Sequence, residues 1–195
     1  MEFFVAAVFD QRALYHDKIL NFKHRFSPQN KQDKSLHLTL LPPFSIEQNH
    51  KEWKQRFLLN LTELIEDHCF QIQEMEQVEF RGIDFISGKK EILGLTPHLN
   101  ENFFHLKEAL LDFFKDEGAQ FQKSPKDHNF LPLCKFDHFH SLQLALEMAK
   151  MDFYEPFILD VKSIDIFFRE HSMHDWPGQQ TLKTFNQKSS LEFFR

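Results

Sequence analysis

Leu36-His37-Leu38-Thr39-Leu40-Leu41-Pro42-Pro43-Phe44 is the stretch that decides how this chain is read. Successive side chains of a β-strand point to opposite faces, so His37, Thr39 and Leu41 are expected on one face and Leu36, Leu38 and Leu40 on the other. Proline cannot donate to a strand ladder, and Pro42-Pro43 is expected to end the strand. One face then seeks a core, while the opposite face holds an imidazole beside a hydroxyl.

Outward from this strand, the chain alternates between strand and helix patterns. Phe3 to Phe9 is a short apolar run that reads as a buried strand, and Asp10 is placed to cap a helix from Gln11 to about Arg25. The polar stretch from Ser27 to Ser35 reads as an exposed loop. From Glu47 to about Asp67, Trp53, Phe57, Leu61 and Leu64 or Ile65 recur at helical spacing. Phe70, Ile72, Val78 and Phe80 alternate, which predicts one or two strands turning near Arg81-Gly82, with another strand over Glu91 to Thr96. Asn100 offers an N-cap for a helix striped by Phe103, Leu106, Leu110 and Phe113 or Phe114, and Gly118 supplies its stop. Beyond a loop with Ser124-Pro125, a strand irregular at Pro132 is expected over His128 to Phe136. A helix from about Phe139 to Lys150, a strand from Phe157 to Arg169 and a last strand near Thr181 to Phe185 complete the pattern.

The order has a duplicated look. Phe3 to His37 spans 34 residues and Glu91 to His128 spans 37, each with a helix and a Ser-Pro loop between. We therefore expect an α+β fold: one domain over residues 1–195, built as two pseudo-symmetric αβ lobes whose antiparallel sheets flank a central cleft.

Composition narrows the function classes. At 195 residues the chain is long enough for one domain with a sizeable core. No stretch approaches the roughly 20 apolar residues of a membrane span. The N-terminus carries an acid where an export signal has a basic region, and two cysteines make no disulfide framework, so a cytoplasmic setting with both thiols buried is expected. A net charge of -6 argues against binding long DNA or RNA, whose affinity comes from cations neutralising many phosphates. The 25 phenylalanines sit mostly at periodic positions, where they read as packing. Five glycines leave no phosphate-binding glycine loop, which speaks against nucleotide triphosphatase or dinucleotide chemistry.

Metal-free cleavage of a phosphodiester needs one group to take a proton from the attacking oxygen and another to give one to the leaving oxygen. Two histidines titrating near neutrality can share that work. His128, which follows His37 by 91 residues, is the natural second member of the pair.

The tract from His37 to Phe44 resembles the first signature of the 2H phosphoesterase superfamily, whose members carry two His-x-Thr/Ser motifs, one from each of two pseudo-symmetric lobes. The order of elements agrees with that family over nearly the whole chain. The resemblance implies that His37 and His128 act as general acid and base across the cleft, that Thr39 holds the phosphate, and that the substrate is a small cyclic phosphate or an RNA end. It implies a monomeric, cytoplasmic hydrolase with no cofactor, no metal and no membrane partner, in which Phe44, Phe130 and Lys135 border the substrate.

The second motif departs from the pattern: in His128-Asn129-Phe130-Leu131, a phenyl ring stands where a hydroxyl is expected. Removing one such donor takes away about 2.7–4 kcal/mol of transition-state stabilisation, which slows catalysis without abolishing it. Lys135 or Ser124 could complete the clamp, or the chain could bind a nucleotide or RNA end as a pseudoenzyme. A metal-dependent hydrolase using His138 and His140, or His171 and His174, is a further alternative, since both pairs have spacings that zinc or iron could use.

Overall fold

The computed structural model describes residues 1–26, 36–47, 51–70, 76–87, 91–121, 130–136, 139–170 and 178–185. Among these the chain is α+β, with four helices and an eight-stranded antiparallel sheet. The elements are β1 (Glu2–Phe9), α1 (Leu14–Phe26), β2 (His37–Ser45), α2 (Lys51–Phe70), β3 (Gln77–Ile86), β4 (Glu91–His98), α3 (Glu101–Asp116), β5 (Gln120–Phe121), β6 (Leu131–Phe136), α4 (Phe139–Asp152), β7 (Phe157–Arg169) and β8 (Gly178–Thr184). No helix among the described residues is long and apolar enough to cross a membrane.

The sheet runs β5-β2-β1-β7-β3-β4-β6, with β8 also on β7. β7 is the hinge of this order, because its first residues, Phe157 to Asp160, pair with β3 while Val161 to Arg169 pair with β1. A register shift between Val8 and Phe9 separates the two stretches. A bulge of this kind bends a strand and increases its twist. β6, at the far end of the order, also comes within 8 Å of β2, Cα to Cα.

One face of the sheet rests on the helices. Helix α3 is placed by its sequence: Asn100 Oδ1 accepts from the Phe103 amide at 3.1 Å, and Phe103, Leu106, Leu110 and Phe114 are buried in one stripe. Gly118, at φ 79°, takes the left-handed conformation that ends the helix without a Cβ clash. Trp53 Nε1 on α2 donates to Glu117 Oε2 at 2.9 Å, tying α2 to the end of α3. Between these helices and the sheet lies a phenylalanine core in which Phe44 meets Phe114 at 4.3 Å and Phe3 at 5.8 Å between ring centroids.

Several expectations are corrected by these elements. The prolines do not end the strand: β2 runs through them to Ser45. Register shifts at Phe3/Val5 and Val5/Ala6 put Pro42 and Pro43 opposite Phe4 without a regular pair, so their missing N–H groups break no bond of that ladder. Arg81-Gly82 is a bulge within a continuous β3, marked by the register shift between Phe80 and Gly82, and not a turn. Phe70 ends α2 instead of starting a strand. The short β5 on the edge of β2 is an addition that its two residues could not announce.

Gly94 on β4 is required by close approach. A Cβ there would lie 1.9 Å from Phe130 Cδ2 and 2.8 Å from the Leu131 carbonyl oxygen, so the Phe130 ring occupies the space above the Gly94 backbone. Overpacking of this kind costs typically about 1–3 kcal/mol. Gly94→Ala is expected to lower stability by that amount, and adding Phe130→Ala to recover only part of it, because the Leu131 oxygen remains. Chemical denaturation of the two variants checks this; full additivity of the single changes would show that the ring does not compete for the space.

Candidate functional site

The face of the sheet turned away from the helices is read from the register. In β1 it carries Glu2, Phe4, Ala6 and Val8, while Phe3, Val5, Ala7 and Phe9 join the main core. Residues directly opposite on antiparallel strands share a face. β2 therefore adds His37, opposite Val8, and Thr39, opposite Ala6. On the other side β7 adds Ser163, Asp165, Phe167 and Arg169, opposite Val8, Ala6, Phe4 and Glu2 respectively. β8 contributes Thr181 opposite Asp165 and Gln179 opposite Phe167.

Along this face the chemistry changes in steps. An ion pair comes first, Arg169 Nε donating to Glu2 Oε2 at 2.6 Å. Phe4 and Phe167 come next, stacked with ring centroids 4.5 Å apart and planes within 3°. The His37 ring lies 5.7 Å from each of these two rings. His37 is opposite Val8, four residues along from Phe4, so the imidazole leans back over the row that holds Ala6 and Thr39. A methyl group at Ala6 is what leaves room for it.

His37 and Thr39 thus sit on one face, as the alternation predicts, and both are half-buried. Leu41 does not join them. The register shift between Val5 and Ala6 turns Leu41 to the core opposite Val5, and it is fully buried there together with Leu40 and Leu38. The same shift carries Phe44 to the core, opposite Phe3 and 0 % exposed, so the expectation that it borders substrate is corrected. Phe130 packs against the Gly94 backbone. Lys135 is exposed on β6 opposite Ile92. His128 and Ser124 lie outside the described residues, as do His138, His171, His174 and the side chains of His140 and Cys69. Cys134 is a buried free thiol.

Comparison with protein-family models and with curated proteins gives no match. The site is therefore argued from its own residues.

Sequence reading missed Asp165. Its side chain is 2 % exposed, Oδ2 accepts from Gln179 Nε2, and Oδ1 has no hydrogen-bond partner among the described residues. The signal was present in Ser163-Ile164-Asp165-Ile166-Phe167, where one acid interrupts an apolar strand. Nothing in that pattern says that Asp165 and Thr39 fall in one row across Ala6, because the strands are 126 residues apart in sequence.

A second polar place lies on β3 and β4, an open hollow of about 270 Å³ whose lining includes Arg81, Asp84, Thr96 and His98. Its cation is already engaged: Arg81 Nη2 is 2.6 Å from Glu79 Oε2. That hydrogen bond from Arg81 holds the Glu79 carboxyl below its usual range. An anion entering there would compete with Glu79, whereas the His37 and Thr39 face offers an imidazole and a hydroxyl beside an aromatic wall. The latter has the better chemistry for a phosphate ester carrying an apolar group.

Proposed function

We propose that this chain is a metal-independent phosphoesterase that cleaves a small cyclic phosphate or an RNA-end phosphodiester, with His37 and His128 as the acid and base pair and Thr39 orienting the phosphate. The observation that carries the reading is the pairing of His37 and Thr39 on the face of β2 turned away from the core, with the His37 ring set against the Phe4 and Phe167 stack. A hydroxyl two residues from an imidazole on one strand face can donate to a phosphate oxygen while the imidazole handles the proton of a neighbouring one. The stacked rings offer a flat apolar wall for a nucleoside.

The two-lobed organisation belongs to the same proposal. Its support is the order β1-α1-β2-α2-β3, which recurs as β4-α3-β6-α4-β7 once the two-residue β5 is set aside. The last strand of each series pairs with the first strand of the other, β3 with β4 and β7 with β1. β6 starts three residues after His128, and it approaches β2. Such an arrangement would bring the second histidine toward the first across a cleft.

A panel of 2',3'-cyclic nucleotides in the presence of chelator tests the proposal. Wild-type protein is expected to hydrolyse at least one member. His37→Ala is expected to lose about 10²–10⁴-fold in kcat, the usual worth of a general acid or base. Equal turnover by both proteins removes His37 from the mechanism. Activity abolished by chelator favours the metal-dependent alternative, and tight binding without turnover favours a nucleotide-binding pseudoenzyme, for which the Phe130 ring in place of a hydroxyl is the specific observation.

A further inference from the structure

The buried carboxylate of Asp165 is the group that the proposed mechanism leaves without a task. A carboxylate oxygen taken out of water needs a donor, and natural structures supply one for nearly every buried polar atom. Asp165 has one from Gln179 on Oδ2 and none among the described residues on Oδ1. Its strand neighbours leave the space beside it open on one side only. Thr181 on β8 lies opposite, and on the other side Ala6 presents a bare methyl, beyond which stands Thr39. Two strand spacings, about 9–10 Å, separate the Thr39 and Asp165 backbones. The Phe4 and Phe167 stack closes one end of this interval, and Val8 with buried Ser163 closes the other. A floor one methyl deep, with a phosphate-handling pair at one wall and an unmet acceptor at the other, has the form of a nucleoside subsite.

We infer that Asp165 Oδ1 accepts a hydrogen bond from an N–H or O–H donor on the nucleoside part of the substrate whose phosphate is held at His37 and Thr39. The inference rests on the phosphoesterase reading for the position of the phosphate, but its readout is binding and does not require turnover. Two groups on a nucleoside share this donor chemistry, the exocyclic amine of the base and a ribose hydroxyl. Gln179 fixes which face of the carboxylate is offered, since its amide N–H holds Oδ2 and leaves Oδ1 toward Ala6.

Asp165→Asn gives the sharpest test because it keeps size and shape. Gln179 continues to donate to the remaining oxygen, so the new amide places an N–H₂ group where Oδ1 stood, turning an acceptor into a donor. Titration of the 2',3'-cyclic forms of AMP, GMP, CMP and UMP is made against wild type, Asp165→Asn and His37→Ala, with turnover measured beside it. If the partner is the exocyclic amine, wild type favours CMP over UMP, and in Asp165→Asn that preference falls by about tenfold or reverses, since uracil offers an oxygen where cytosine offers an amine. If the partner is a ribose hydroxyl, all four weaken by a similar factor of about ten. Either pattern supports the inference.

Affinities for all four within twofold of wild type overturn it, as does a fall in kcat alone, which would make Asp165 a positioning residue for His37. Absence of binding of any nucleotide by wild type overturns it too. His37→Ala separates the two ideas: if it turns over substrate as wild type does while Asp165→Asn changes base preference, the catalytic reading fails and the subsite stands. An unchanged melting temperature for Asp165→Asn shows that the loss is not one of folding, and Gln179→Ala serves as the second variant if it is.

Discussion

Phe44→Ala is expected to lower the stability of the fold by about 3–5 kcal/mol, the usual range for emptying a large buried aromatic site. The side chain is 0 % exposed and its ring meets Phe114 at 4.3 Å, Phe121 at 5.3 Å and Phe3 at 5.8 Å between centroids. These partners come from α3, β5 and β1, so the cavity opens where two layers and an edge strand meet, and no single neighbour can move in to fill it. For a chain of this size each kcal/mol shifts Tm by about 2–4 °C, which places the fall between roughly 6 and 20 °C. A thermal melt by circular dichroism reads it. The variant also separates packing from binding, because a residue bordering substrate would raise KM at temperatures where the fold is intact. KM at 15 °C is expected to stay at the wild-type value, and a several-fold rise with a small change in Tm would return Phe44 to the site.

That contrast explains how much of the molecule was legible beforehand. Alternation on Leu36 to Leu40 put His37 and Thr39 on one face and the leucines on the other, and the register bears this out. The stripe Phe103, Leu106, Leu110, Phe114 and the Asn100 cap were equally plain, because helix signals are local: a side-chain oxygen reaching an amide three residues on, and a repeat of 3.6. What alternation cannot announce is a bulge. One extra residue between Val5 and Ala6 pairing reverses the face of everything beyond it, and Leu41 and Phe44 went to the core for that reason. The same ambiguity at Arg81-Gly82 made a bulge look like a turn. Phe70 was misplaced because alternating apolar residues at a helix end look like the start of a strand when the following residues are polar. Asp165 was hidden for a different reason, since its partners in space are set by strand order, which the sequence does not state.

Thr39→Val and His37→Ala, taken singly and together, give the second large effect. Valine matches threonine in shape and removes the hydroxyl donor alone, so Thr39→Val is expected to reduce kcat by about 10²–10³-fold, as loss of one preorganised donor to a developing charge does. KM should change little, because the hydrogen bond strengthens as the charge on the phosphate oxygens grows and is weaker in the ground state. His37→Ala loses about 10²–10⁴-fold by removing a proton-transfer group. The two side chains act on one phosphate from adjacent positions on one strand face, so their losses should not multiply, and the double variant should fall within about tenfold of the weaker single one. Both residues are half-buried on the face away from the main core, and all three variants are expected to melt near wild type. Strict multiplication of the two effects would mean that Thr39 and His37 work on separate groups, and the shared-phosphate geometry would have to be given up even if each residue proved essential.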